Sequence, residues 1–130
     1  MRHHLNAELD VPVSLDRVFQ FFSAAENLQR ITPPELGFEI LTPLPVVIRA
    51  GSLIDYRVRL FGLPMRWRSE ITVWEPPRRF VDVQLKGPYK EWVHTHTFEA
   101  TRDGGTRISD HVQYQLPLTP FGDVALPLIA

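Results

Sequence analysis

A ten-residue run, Glu91 to Ala100, constrains this chain more than any other stretch, because it alternates without a break. Trp92, His94, His96 and Phe98 fall on one side of an extended strand, and Val93, Thr95, Thr97 and Glu99 on the other. Successive strand side chains point to opposite faces, so two imidazoles and two large aromatics must share one surface. That surface either lines a cavity or is an unusually polar core.

The rest of the chain supplies strands for this one to pair with. Residues 4–11 read as a first strand ended by Pro12. A helix should follow, with Ser14 as its cap, Asp16 in its first turn and Val13 stapled onto Val18. Leu15, Val18, Phe19 and Phe22 form its apolar stripe. Residues 24–31 allow a second short helix with Leu28 and Ile31 as contacts, stopped by Thr32, Pro33 and Pro34. Residues 38–41 form a short strand, and 42–50 an irregular or edge segment interrupted by Pro43 and Pro45.

From there the pattern is a meander. Runs 52–61 and 64–74 flank Gly62 and Leu63, which suit a two-residue hairpin. That loop places Ile54 by Ile71, Tyr56 by Ser69, Val58 by Trp67 and Leu60 by Met65 on one apolar face. The other face carries Arg57, Arg59, Arg66 and Arg68 with Asp55 and Glu70, a solvated and salt-bridged surface.

A four-residue turn over 75–78 would set Val73 against Phe80, Ile71 against Asp82 and Ser69 against Gln84, turning Asp82 and Gln84 inward. Simple periodicity would instead turn Val81, Val83 and Leu85 inward. Gly87, Pro88 and Tyr89 make the turn into the 91–100 strand. A three-residue loop at Asp103, Gly104 and Gly105 then leads to a last strand over 107–116, setting Phe98 against Asp110, His96 against Val112 and His94 against Tyr114.

At 130 residues the chain reads as a single domain spanning 1–130, long enough to bury a core without staples. It has no cysteine, which removes thiolate nucleophiles and cysteine metal sites and agrees with a cytoplasmic location. No run is apolar enough for a signal peptide core or a membrane span. With 14 basic and 15 acidic residues the net charge is -1, so no global field draws nucleic acid.

Strand, two short helices and an antiparallel meander of this order resemble the α+β helix-grip fold of the START-like superfamily. That superfamily includes polyketide cyclases and aromatases, ubiquinone-binding proteins and the birch pollen allergen group. The resemblance rests on Val18, Phe19, Phe22, Asn27-Leu28 and Ile31-Thr32-Pro33-Pro34 in the helical part. In the meander it rests on Trp67, Ile71, Trp74-Glu75-Pro76-Pro77, Phe80, Asp82, Gln84, Gly87-Pro88-Tyr89, Trp92, His94, His96, Phe98, Gly105-Thr106, Asp110 and Tyr114. It is nearest to bacterial members labelled cyclase/dehydrase or ligand-binding.

It implies a curved sheet of about seven strands gripping a long C-terminal helix, with a hydrophobic ligand between them. Such a helix needs roughly 20 residues at about 1.5 Å each to cross a sheet. Only ten follow Pro120, so the helix is expected to be short or truncated, or the lid to come from another chain.

The expected ligand is a small hydrophobic or amphipathic molecule. Tyr56, Trp67, Ile71, Trp92 and Phe98 would form the apolar wall, Asp82, Gln84, His94, His96 and Asp110 the polar end, with Ser69 and Tyr114 beside them. His94 and His96 with Asp82 are the residue types of a zinc or iron site. A hydrogen-bonded network among the buried carboxylates and imidazoles is the preferred reading, with no metal and no cofactor. A cyclase or dehydratase using His94, His96, Asp82 and Asp110 as acid and base is the alternative. A third is a non-catalytic interaction module. As nucleophiles, Ser69 and Ser109 are expected to lie away from the imidazoles. A homo-oligomer is expected to cover whatever part of the concave face the chain leaves bare.

Overall fold

The computed structural model describes residues 2–27, 36–43, 46, 48–60 and 62–116. Seven strands and one helix follow in the order β1 (Arg2–Val11), α1 (Leu15–Phe22), β2 (Glu39–Ile40), β3 (Leu53–Leu60), β4 (Leu63–Glu75), β5 (Arg79–Lys86), β6 (Glu91–Ala100) and β7 (Thr106–Gln115). Residues 25–27 are also helical. The expected second helix beyond residue 27 and the C-terminal helix lie outside the described residues.

The strands form one curved sheet in the order β1-β7-β6-β5-β4-β3-β2, each pair antiparallel. Consecutive strands from β2 to β7 are neighbours because short turns join them, and β1 closes onto β7 at the far edge. Every inward alternate position of the meander then faces the same concave side. Ile54, Tyr56, Val58, Trp67, Ile71, Phe80, Trp92, Phe98, Ile108 and Val112 are buried there with Val18 and Phe19 of α1. Phe19 sits 5.1 Å from Trp74, 5.2 Å from Phe98 and 6.0 Å from Phe80, measured between ring centres. The apolar stripe of α1 therefore closes one end of the sheet.

The start of α1 is held differently from expectation. Ser14 occupies the cap position with extended backbone, but its side chain makes no capping bond. Its carbonyl accepts the Val18 amide at 3.0 Å instead. Val13 stands exposed rather than stapled beneath Val18, because its carbonyl is drawn to the sheet, where the fully buried Thr106 hydroxyl donates to it at 2.7 Å. Thr106→Val keeps the shape and removes that donor. It is expected to cost about 1–2 kcal/mol in chemical denaturation, since it orphans a carbonyl at the strand-to-helix corner.

Three registers correct the sequence reading. Between β3 and β4, Leu60 pairs with Leu63, so Ile54 meets Ser69, Tyr56 meets Trp67 and Val58 meets Met65. Gly62, with φ 77°, immediately precedes Leu63 of that closing pair. The left-handed glycine thus sits one place later in the turn than a type II′ loop would put it.

Between β6 and β7 the loop spans residues 101–105, not three residues. Asp103 accepts from the Thr101 hydroxyl and the Gly105 amide, and Thr101 N–H donates to the Gly105 carbonyl at 3.0 Å. Phe98 therefore meets Ile108, His96 meets Asp110 and His94 meets Val112. Both slips are of two residues, which leaves every side chain on its expected face.

Between β4 and β5, Ile71 faces Asp82 and Ser69 faces Gln84, as the four-residue turn required. Val73 meets Val81 rather than Phe80, because an irregularity between Ile71 and Val73 absorbs one residue. That irregularity keeps Phe80 buried and Asp82 directed inward, and it leaves Leu85 exposed.

Candidate functional site

The alternation of β6 does what its sequence demands. Trp92, His94, His96 and Phe98 are all buried, while Val93, Thr95, Thr97 and Glu99 are not. The two imidazoles stack at 3.7 Å between ring centres, and Phe80 stacks on the far side of His96 at 4.1 Å. Buried nitrogens in such a stack require partners, and the neighbouring strands provide two carboxylates.

Asp82 of β5 accepts from His96 Nε2 at 2.6 Å. Asp110 of β7 accepts from His94 Nε2 at 2.9 Å and lies 3.4 Å from His96 Nδ1. Both nitrogens of His96 thus face carboxylate oxygens, the arrangement that stabilises the doubly protonated ring. Burial alone would push the His96 imidazolium toward losing its proton. Hydrogen bonds to Asp110 and Asp82 outweigh that and raise its pKa to about 9. Burial likewise works to raise the Asp110 pKa, but the bonds from His94 and His96 hold it well below the usual carboxylate range.

Asp82 and His96 also form the polar end of a small cavity. Its wall is Phe22 of α1, Ala25, Phe38, Ile40 of β2, Ile48, Ile54, Ile71 and Phe80, with Tyr56 and Ser69. The space within it is about 40 Å³, room for a few waters and well below the roughly 300 Å³ or more of a typical small-molecule pocket. Ser69 Oγ accepts from Trp67 Nε1 at 3.0 Å and shares a proton with the Tyr56 hydroxyl at 3.2 Å. Burial, with the charge of Asp82 nearby, pushes the Tyr56 pKa up, so the phenol keeps its proton. Two hydroxyl protons are available to the Tyr56–Ser69 contact and that bond uses one. The pair therefore retains a spare donor beside the cavity.

Of the residues expected to touch ligand, Tyr56, Ser69, Ile71, Asp82 and His96 line this cavity. Trp67, Trp92 and Phe98 form the packed core around it. Gln84 is spent on the turn before β6: its amide donates to the Tyr89 carbonyl at 2.6 Å and accepts from the Tyr89 amide at 3.1 Å. His94 stands behind His96, and Tyr114 stacks on His3 at 5.2 Å. Ser69, expected to lie away from the imidazoles as a nucleophile, lines the cavity but bonds Trp67 and Tyr56 rather than a histidine. Ser109 lines an outer groove with Asn6, Glu8 and His111.

The residues that the sequence did not single out for the cavity are Phe22, Ala25, Phe38, Ile40, Ile48, Ile54 and Phe80. Phe22 was visible in the helix stripe. Ile48 lies in irregular backbone, and Phe38 and Ile40 lie in or beside a two-residue strand, where no period exists to read.

Asp110 has a half-buried side chain, 38% exposed, against 17% for Asp82. The row Asp82, His96, Asp110 therefore runs from the cavity toward solvent. An imidazolium that holds one proton toward each carboxylate can pass a proton across the ring, which is the chemistry of a relay. Asp82, His94 and His96 also bring ligand atoms within 4.8 Å of one another. A cation there would have to displace the His96 protons that both carboxylates now hold.

The sequence from residue 11 to residue 129 matches the family model described as polyketide cyclase / dehydrase and lipid transport. The chain belongs to this family. No curated protein sequence matches it. Among solved structures, the chain is similar to TTHA0849 from Thermus thermophilus, at 21% identity and TM-score 0.70 over 94% of this chain and 80% of that one. It is similar to the Zhui aromatase/cyclase from Streptomyces sp. R1128, at 16% identity and TM-score 0.73 over 92% and 71%. A third is Ara h 8.0201, at 16% identity and TM-score 0.66 over 95% and 86%. At these identities the likeness establishes a shared helix-grip fold. Polyketide cyclase/dehydrase family membership and the sheet topology together account for the α+β architecture. Among the described residues no helix is long and apolar enough to cross a membrane.

Proposed function

We propose that this family member binds one small hydrophobic or amphipathic molecule, of lipid, polyketide or isoprenoid character, in the cavity beneath β2 and α1. The observation that carries this reading is the cavity's composition: an apolar wall from Phe22, Phe38, Ile40, Ile54 and Ile71, closed at one end by the Asp82–His96 pair. Binding sites for small molecules combine apolar walls with a few placed polar groups in this way. At about 40 Å³ the cavity must enlarge to admit a ligand. The element best suited to yield is β2, whose pairing with β3 involves only Glu39 and Ile40. The protein acts in the cytoplasm in this reading, and association of copies covers what the concave face leaves bare.

The polar end offers an acceptor, Asp82, and a spare hydroxyl donor from Tyr56 and Ser69. A ligand carrying a hydroxyl should therefore bind better than its bare hydrocarbon. Titrations of tryptophan fluorescence with 1-naphthol and with naphthalene test this. Wild type is expected to favour 1-naphthol about tenfold, the worth of one hydrogen bond to a charged partner, and Asp82→Leu to lose the preference. Equal affinities in wild type would remove the polar end from the reading.

A second reading is supported by the relay geometry. Asp82 at the cavity and Asp110 toward solvent flank an imidazolium, the set of groups an acid-base cyclisation or dehydration uses. The Zhui protein, similar in fold, is an aromatase/cyclase. The two readings share one site, and a catalytic role would show as turnover lost in Asp82→Asn with ligand binding retained.

A further inference from the structure

The outermost strand of the sheet is unlike most free edges. β1 pairs with β7 without interruption from Arg2 opposite Gln115 to Val11 opposite Thr106. Among the described residues its other edge is bare over that whole length, whereas the opposite edge of the sheet is the two-residue β2. Soluble proteins blunt long free edges with lysine, proline or bulges. β1 contains no lysine, no proline and no break in register.

Its two leucines are also open to solvent. Leu5 and Leu9 project on the concave side, in line with Val112 and Ile108 across the ladder, yet they are 42% and 61% exposed. The formal charges of the strand are Arg2 at one end and Glu8 and Asp10 at the other. Arg2 bonds Glu91, and Arg107 bonds Asp10 at 2.9 Å and Glu8 at 3.4 Å.

We infer that β1 pairs antiparallel with β1 of a second copy, about a two-fold axis at Ala7, joining the two sheets edge to edge. A two-fold axis at a sheet edge makes the two strands antiparallel and gives both copies the same contacts. With the axis at Ala7, Leu5 faces the partner's Leu9 and Leu9 its Leu5 on the concave side. On the outer side His4 faces the partner's Asp10, and Asn6 faces the partner's Glu8. Pairs directly opposite one another in an antiparallel ladder are the units of sheet stabilisation. The smallest side chain of the strand lies on the axis, where the two copies approach closest. The same pairing satisfies the free backbone groups of both edges.

The absence of native cysteine makes the test direct. Opposed residues in an antiparallel pair have Cα atoms about 4.5–5.5 Å apart, within the roughly 4.4–6.8 Å that a disulfide spans. Ala7→Cys is expected to cross-link into a covalent dimer under mild oxidation, and Asn6→Cys is not. Light scattering of unmodified protein should give twice the chain mass, falling to the monomer mass in Leu9→Lys while the far-ultraviolet circular dichroism stays as in wild type. A monomer at all concentrations would overturn the inference. So would a dimer that survives Leu9→Lys, or cross-linking through Asn6→Cys but not Ala7→Cys, which would place the axis elsewhere and leave the leucines unmatched.

Discussion

Replacing His96 by Phe is expected to lower stability by about 3 kcal/mol at neutral pH and to flatten the alkaline side of the pH profile. The magnitude follows from the burial of the network. Asp82 is 17% exposed and loses the imidazolium that bonds it at 2.6 Å. Removing one partner of a buried charged pair costs on the order of 3 kcal/mol or more. Asp110 keeps His94, and the phenyl ring keeps the stack on Phe80, so the change is confined to the lost bonds.

The pH dependence has a definite sign. The His96 pKa in the folded protein is raised, to about 9 from an ordinary value of 6.5. Its contribution is therefore complete below pH 6.5 and disappears as the pH rises through about 9. Each pH unit in that interval removes about 1.4 kcal/mol, or about 3 kcal/mol in all. Asp110 acts in the opposite sense. Its pKa is held low, so its contribution is present above about pH 4 and is lost as the pH falls further. Wild type should be most stable between these limits. Urea denaturation from pH 5 to 10 measures the alkaline effect: His96→Phe should abolish the fall between pH 6.5 and 9, and a wild-type profile flat over that interval would contradict the doubly bonded imidazolium.

Trp67→Ala should be the most damaging substitution in the sheet, at about 3–5 kcal/mol. Trp67 is 1% exposed. Its ring lies 5.3 Å from Trp92, 5.7 Å from Tyr89 and 5.8 Å from Tyr56 between centres, and its Nε1 donates to Ser69. Truncation opens a void in the aromatic centre and leaves Ser69 short of a donor. A loss of that size is a large fraction of the roughly 5–15 kcal/mol that holds a domain folded. Leu63→Ala, at a side chain 66% exposed, should change stability by less than about 0.5 kcal/mol. Equilibrium denaturation of both variants checks the contrast, and a Trp67→Ala loss below about 1 kcal/mol would mean that the aromatic cluster is not the core.

What the sequence disclosed and what it hid have physical causes. Alternation revealed β6 with its true bounds, because a strand whose faces differ so strongly in chemistry leaves its period in the residue types. It could not reveal the partner opposite each residue. A slip of two positions changes no face, so the turns at Gly62 and at residues 101–105 settled registers that hydrophobic pattern alone leaves free. The consequence for the site was large. The longer 101–105 loop moved Asp110 from Phe98 to His96, where it completes the second carboxylate contact.

Asp82 was legible only through the turn at residues 75–78, and an irregularity between Ile71 and Val73 reconciles that turn with a buried Phe80. Gln84 shows the opposite case. An inward polar residue suggested ligand contact, yet its amide is taken up by both backbone groups of Tyr89. Phe38, Ile40 and Ile48 had no periodic signal, because the backbone that carries them is barely paired.

Native mass spectrometry of the purified protein tests the central claim, ligand binding beneath β2, most directly. Wild type, as isolated or after incubation with a mixture of fatty acids, isoprenoids and aromatic polyketides, is expected to carry one small molecule per chain that is released on denaturation. Ile54→Trp, which fills the cavity from β3, is expected to carry none. A wild-type protein that retains nothing and takes up nothing from that mixture would contradict the claim.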